Sequence, residues 1–209
     1  MLPLAVRHRQ RRVATRHDKA ALACAARMRA APGEPGTTTQ GMQTLITEEI
    51  LQQRVADLAR EISTDHPDGV HIVCVLKGAF MFLADLVRAM TCEVTLDFMA
   101  VSSYGLSTRS SGQVRLMKDL DSGLEGRAVV IVEDIVDTGL TLAYLQEILR
   151  ARGPRSLKTA CLLSKPSRRQ TNVSVDYIGF TIDDVFVVGY GLDSGERHRN
   201  LPHLAVVSD

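Results

Sequence analysis

The stretch Val129-Val130-Ile131-Val132-Glu133-Asp134-Ile135-Val136-Asp137-Thr138-Gly139-Leu140-Thr141-Leu142 decides how this chain is read. Ala128 and the four residues after it form an apolar run without alternation, the pattern of a strand buried on both faces. Two carboxylates, Glu133 and Asp134, end the run. If the strand is central in a parallel sheet, they stand at the carboxyl edge, where open α/β sheets bind ligands. The chain then turns through Asp137-Thr138-Gly139 into a helix expected over about 141–151, stopped by Gly153-Pro154. Small residues at that turn leave backbone N–H groups free to surround an anion, and the helix dipole favours it. Thr138 and Thr141 add hydroxyl donors.

This is a phosphate cup with carboxylates beside it. Carboxylates so placed would repel a bare phosphate, so they suit ribose hydroxyls, a shared proton or Mg²⁺. The segment is neither a P-loop nor a Rossmann turn, because GxxxxGK[ST] and GxGxxG are both missing. The structural alternative makes Asp137 and Thr138 helix caps and leaves Glu133 and Asp134 merely solvated.

Working outward, the same alternation of elements recurs. Thr47 is an N-cap candidate before Glu48 and Glu49, and Leu51, Val55, Leu58 and Ile62 fall on one helical face. Residues 64–69 are turn-rich and should end that helix. Val70 to Leu76 reads as a buried strand, 79–90 as a helix with Phe82, Leu83, Leu86 and Val87 inward, and 94–101 as a strand. A polar stretch, 102–112, has the length and composition of a binding loop. Residues 113–120, 157–163 and 177–180 complete the order. Strand–helix alternation predicts an α/β fold, a mainly parallel sheet flanked by helices.

Charge is divided unevenly. Residues 1–40 carry eight Lys/Arg against Asp18 and Glu34, whereas 41–209 carry 17 Lys/Arg against 22 Asp/Glu. A net-acidic body argues against broad nucleic-acid binding, so no nucleic-acid partner is expected. The Arg/Ala-rich start, closing on Ala31-Pro32-Gly33-Glu34-Pro35-Gly36, reads as a disordered basic extension over 1–41. A transit peptide shares that composition; an upstream start, with Met42 as the functional first residue, is the favoured alternative. The four cysteines, Cys24, Cys74, Cys92 and Cys161, are scattered, which disfavours zinc or disulfides and suits a reducing, cytoplasmic setting. No apolar run reaches membrane-spanning length, so no membrane partner is expected.

The acid-acid-x-x-Asp-Thr-Gly-x-Thr segment resembles the signature of the type I phosphoribosyltransferases, and the chain is most similar to their hypoxanthine (guanine) branch. The resemblance runs from about Ile46 to Val207. It also rests on Leu76-Lys77-Gly78, Ser102-Ser103-Tyr104-Gly105, Lys165-Pro166, Phe186 to Asp193, and Arg199-Asn200-Leu201-Pro202. It implies the type I fold over 42–209, with a small C-terminal hood to which about 165–209 contribute. The implied reaction moves ribose 5-phosphate from phosphoribosyl pyrophosphate to a 6-oxopurine, hypoxanthine and/or guanine.

The implied roles follow residue by residue. Asp137, Thr138, Gly139, Leu140 and Thr141 wrap the 5-phosphate, and Asp137 also acts as base near purine N7. Glu133 and Asp134 hold the ribose hydroxyls and, with Asp193, count as metal ligands for Mg²⁺. Lys77 and Gly78, in a loop that often holds a cis peptide before the Lys, contact pyrophosphate together with Arg199. Ser103 and Tyr104 open a lid. Lys165 donates to the 6-oxo oxygen, Phe186 stacks on the base and the Val187 backbone reads its edge.

Taken singly, Lys77 would be a surface charge, Phe186 a core residue and Asp193 a turn acid, and His66 and His71 have no functional support. Two departures stand out: Leu140 replaces a Lys found in some relatives, and His198 a common Tyr. The resemblance further implies a homodimer or homotetramer. The rival reading is a regulator of the same fold that senses phosphoribosyl pyrophosphate and binds nucleic acid. Such a protein would have little use for Lys165, Phe186 and Asp193.

Overall fold

The computed structural model describes residues 41–103 and 114–207. The basic extension, Tyr104 and most of the expected lid lie outside the described residues, as does the Ser103 side chain. Nine strands and three helices follow in chain order. They are β1 (Met42–Ile46), α1 (Glu48–Asp65), β2 (Val70–Leu76), α2 (Phe80–Ala89), β3 (Val94–Ser103), β4 (Val114–Lys118), β5 (Ala128–Val136), α3 (Leu140–Arg150), β6 (Ser156–Ser164), β7 (Tyr177–Thr181), β8 (Val187–Val188) and β9 (Leu204–Val207).

Six strands form the main sheet in the order β4-β3-β2-β5-β6-β7. All its pairings are parallel except that of the edge strand β4 with β3. The unbroken apolar runs expected to be strands are therefore the inner ones. β2 and β5 lie side by side at the centre, with Val73 opposite Ile131 and Cys74 opposite Val132. Strand alternation then divides β5. Val130 and Val132 face a core shared with α1 and α2, and Val129 and Ile131 face one shared with α3.

Local chemistry accounts for the helices. Thr47 is extended and its side chain accepts from the Ile50 N–H, with Glu48 and Glu49 favouring the positive end of the dipole. Leu51, Val55, Leu58 and Ile62 are all buried. Each such side chain contributes about 1.5–3 kcal/mol through removal from water. Helix α2 buries Phe82, Leu83 and Leu86, and Val87 is only partly covered.

β5 runs through Glu133 and Asp134 to Val136, beyond the purely apolar segment, because Ile135 and Val136 still pair with Leu163 and Ser164 of β6. A second, antiparallel sheet, β1-β9-β8, sits at the hood end of the chain. Its outer strand, β1, comes from residues 42–46, which no sequence pattern had marked as a strand. His66 and His71, for which the sequence offered no functional support, are both buried. Their desolvation lowers both imidazole pKa values and favours the neutral form.

Candidate active site

The carboxyl ends of β2, β3 and β5 open into a cleft of about 650 Å³. It is lined by Lys77, Gly78, Glu133, Asp134, Thr141, Asp193 and Arg199, so residues far apart in sequence meet at one sheet edge. The parallel sheet accounts for the residues after β2 and β5, since parallel neighbours present the same end to solvent, and the loop between β8 and β9 adds Asp193 and Arg199.

Glu133 is 7% exposed and Asp134 partly buried, which overturns the reading of Glu133 as merely solvated. Burial, together with its acidic neighbour Asp134, pushes the Glu133 carboxyl well above its ordinary range. Burial likewise raises Asp134, opposed by the backbone N–H of Ile135, which donates to its Oδ1 at 2.7 Å. Among the described residues neither carboxylate takes part in an ion pair. Two adjacent desolvated acids without a cation form an acceptor site suited to a diol or a hard metal ion.

Facing them is the loop after β2, where the Leu76–Lys77 peptide bond is cis. Gly78 lies against Asp134 so closely that a Cβ on it would stand 1.5 Å from Asp134 Oδ2. No side chain fits there, which gives the Lys-Gly pair a steric cause.

The turn after β5 leads directly into α3. Gly139 stands at the N-cap position of α3 in the left-handed region (φ +85°), so that position falls to neither Asp137 nor Thr138. Only a long contact of 3.4 Å links the Leu140 N–H to Thr138 Oγ1. The helix begins at Leu140, one residue earlier than its expected start, and the first-turn N–H groups surround the turn.

The outer side of this loop is held by residues that sequence reasoning missed. Arg169 donates to the carbonyls of Val136 and Asp137 and, at 3.0 Å, to Ser164 Oγ. The N–H of Gln170 donates to the Thr138 carbonyl at 3.0 Å. Arg168 Nε donates to Asp137 Oδ1 at 3.0 Å, so the predicted base is ion-paired. Arg168 also reaches Asp184 at 3.3 Å, and Asp184 lies 3.7 Å from Lys165 Nζ. Asp137 and Lys165 are thereby tied through two unforeseen charges. Their only sequence signal was a cluster of charge after Lys165-Pro166 and before Phe186.

The hood residues fall as follows. Lys165 is buried, and its N–H donates to the Val136 carbonyl at the end of β5. Phe186 is 56% exposed, which rules out the core role it would have had in isolation. Val187 is buried and pairs with Val206. Asp193 meets Arg199 at 2.8 Å, and Arg199 also donates to the Gly191 carbonyl. Ser103 pairs with Val114 through the sheet.

A family model described as "Phosphoribosyl transferase domain" matches residues 45–195. The chain belongs to the phosphoribosyl transferase family. Within the family it is 48% identical over 166 residues to a hypoxanthine-guanine phosphoribosyltransferase of Bacillus subtilis, covering 79% of this chain and 92% of that one. A protein of the same name from Dictyostelium discoideum is 46% identical over 172 residues, covering 80% and 96%. Among solved structures, a hypoxanthine-guanine phosphoribosyltransferase of Bacillus anthracis superposes with a TM-score of 0.77 at 45% identity, covering 80% of this chain and 99% of that one. The type I phosphoribosyltransferase fold expected from the sequence is the fold found, and this chain sits in the hypoxanthine-guanine branch of the family.

Proposed function

We infer that this protein is a purine-salvage enzyme, transferring ribose 5-phosphate from phosphoribosyl pyrophosphate to hypoxanthine and/or guanine and releasing pyrophosphate. One observation carries the assignment of roles. Thr141 at the head of α3, the paired acids Glu133 and Asp134, and the cations Lys77 and Arg199 line one cleft.

That set of groups suits the chemistry of the substrate. The 5-phosphate would lie in the turn, accepting from backbone N–H groups and from the hydroxyls of Thr138 and Thr141. Gly139 and Leu140 would contribute backbone alone, since Leu140 has no charge to offer. The ribose 2- and 3-hydroxyls would donate to Glu133 and Asp134. Lys77, the Gly78 backbone and Arg199 would hold the diphosphate.

The base would lie under the hood. Lys165 Nζ donates to a 6-oxo oxygen but not to the 6-amino group of adenine, which is itself a donor. Phe186, exposed in the free protein, offers an aromatic face, and the Val187 backbone offers groups for the purine edge. Asp137 uses Oδ1 for Arg168 and keeps its second oxygen for the N7 proton. The bond from the anomeric carbon to pyrophosphate breaks as the purine nitrogen bonds to that carbon. Lys77 and Arg199 offset charge growing on the leaving oxygens.

A divalent metal is required by this family's reaction, and Mg²⁺ is the ion proposed. Among the described residues no three acids, His or Cys converge to chelate one. The donor set instead fits a hard cation held mainly by substrate oxygens, with Glu133, Asp134 and Asp193 as carboxylate neighbours. When bound it supplies Lewis-acid charge to the diphosphate. A homodimer or homotetramer is proposed from the family. Among the described residues no helix is long and apolar enough to cross a membrane. The free thiols of Cys74, Cys92 and Cys161 suit the cytoplasm.

Purified protein should be offered phosphoribosyl pyrophosphate and Mg²⁺ with hypoxanthine, guanine, xanthine, adenine and orotate in turn. Nucleotide from hypoxanthine or guanine, with adenine inert, is the expected result. Binding of phosphoribosyl pyrophosphate without turnover of any base would instead place the protein among regulators of this fold.

A further inference from the structure

Lys77 and Arg199, the two cations assigned above to the diphosphate, share one carboxylate, that of Glu196, and Arg199 pairs with Asp193 as well. Lys77 Nζ donates to both oxygens of Glu196, at 3.1 and 3.0 Å. Oε1 of the same side chain lies 3.4 Å from an Arg199 guanidinium nitrogen. The contact spans 119 residues, from the loop after β2 to the loop between β8 and β9.

The backbone beneath this carboxylate is firmly seated. The Glu196 N–H donates to Asp193 Oδ2 at 2.8 Å, and its φ of 67° holds it in the left-handed region. Gly191, in the same loop, lies so near the Lys77 loop that a Cβ there would stand 2.1 Å from the Gly78 carbonyl oxygen. The tip, by contrast, is open to water: the Glu196 and Lys77 side chains are 66% and 67% exposed. A fixed base with a free, charged tip can give up its contacts without disturbing the fold.

We propose that Glu196 is an internal anion that occupies the cations of the diphosphate subsite in the free protein and competes with pyrophosphate, and with the diphosphate of the substrate, for Lys77 and Arg199. The inference rests on the reading of the site given above. A diphosphate carries several negative charges and a carboxylate one, so the carboxylate yields when the ligand arrives. Its cost is a weaker apparent affinity, reduced by the fraction of protein in which the pair is open. Exposed ion pairs are weak, which limits the effect to about two- to fivefold. As product leaves, the tethered carboxylate is at high local concentration and recaptures Lys77, which favours release. Neutralising Glu196 removes the competitor, whereas a carboxylate that merely aimed Lys77 at the ligand would have the opposite effect.

The test is calorimetric titration of Mg²⁺-pyrophosphate into the full-length protein and its Glu196→Gln and Glu196→Asp variants, at low and high ionic strength. Glu196→Gln should bind about two- to fivefold more tightly, with the gap narrowing as salt screens the pair. The KM for phosphoribosyl pyrophosphate should fall by the same factor and that for hypoxanthine should stay in place. Glu196→Asp keeps the charge with shorter reach and should lie between the two. Equal or weaker binding by the Gln variant, with wild type binding normally, overturns the proposal alone. A wild type that binds no Mg²⁺-pyrophosphate removes the underlying site reading, and this inference with it.

Discussion

The two halves of the site carry charge in opposite ways. At the end of β5, Glu133 and Asp134 are desolvated, lie side by side and take part in no ion pair among the described residues. Around the hood, Lys77, Glu196, Arg199 and Asp193 form one chain of matched pairs and Lys165, Asp184, Arg168 and Asp137 another, many of them exposed. A buried carboxylate destabilises the empty fold, and only a ligand with hydroxyls or a cation relieves it. An exposed pair costs little to form or to break. On the proposed roles, the β5 edge would wait for substrate, and the hood would exchange internal partners for it.

Removing the proposed base tests the contrast most severely. Asp137→Asn should lower kcat by about a hundredfold or more, within the range for loss of a positioned general base, while the KM for phosphoribosyl pyrophosphate changes little. Steady-state kinetics with hypoxanthine checks this, and unchanged kcat would remove Asp137 as the base. Next in size is Gly78→Ala, which asks the buried half to absorb a methyl group 1.5 Å from Asp134 Oδ2. The Lys77 loop must shift, and a displacement of that order costs about a hundredfold in kcat/KM. A variant with near-normal kcat/KM would show that the loop is looser than its packing implies.

Lys165→Met breaks the base-reading half. Loss of a charge-assisted hydrogen bond, on the order of 1.5–3 kcal/mol, should lower kcat/KM for hypoxanthine at least about tenfold. Unchanged selectivity against adenine would take the selector role from Lys165.

The smallest effect is on stability. Asp134 has its pKa raised to about 6, from an ordinary value of 3.8, chiefly by burial. A raised acid favours the folded state below its unfolded pKa, and that contribution is lost as pH climbs through about 6. At neutral pH the ionised group therefore destabilises the ligand-free protein. Asp134→Asn should raise Tm at pH 7.5 by a few degrees, equivalent to about 1–2 kcal/mol after allowance for partial exposure. The gain should fade toward pH 4.5. A pH-independent Tm difference, followed by calorimetry, would remove ionisation as its cause.

Much of this molecule was legible in advance because its signals are local. The near-continuous apolar run at Val70–Leu76, interrupted only by His71, and the unbroken one at Ala128–Val132 fit strands covered on both faces. The face formed by Leu51, Val55, Leu58 and Ile62 could be buried only as a helix. The turn at 137–141 carries its chemistry in its own backbone, and the resemblance supplied roles for residues whose spacing alone was silent. β1 was missed because Met42-Gln43-Thr44-Leu45-Ile46 has one buried residue and no clean alternation. It is a strand because β9, from the far end of the chain, offers it a partner.

By itself, then, the sequence determined the α/β class, the central strands, the helix faces and the turn into α3, since each depends on residues within a few positions of one another. Only the tertiary structure decided that Gly78 must lack a side chain because Asp134 touches it, that Arg168 holds Asp137, and that Glu196 faces Lys77 and Arg199. Those contacts join distant segments whose approach is set by strand order and loop packing, and a charged residue carries no local mark of the partner it will meet.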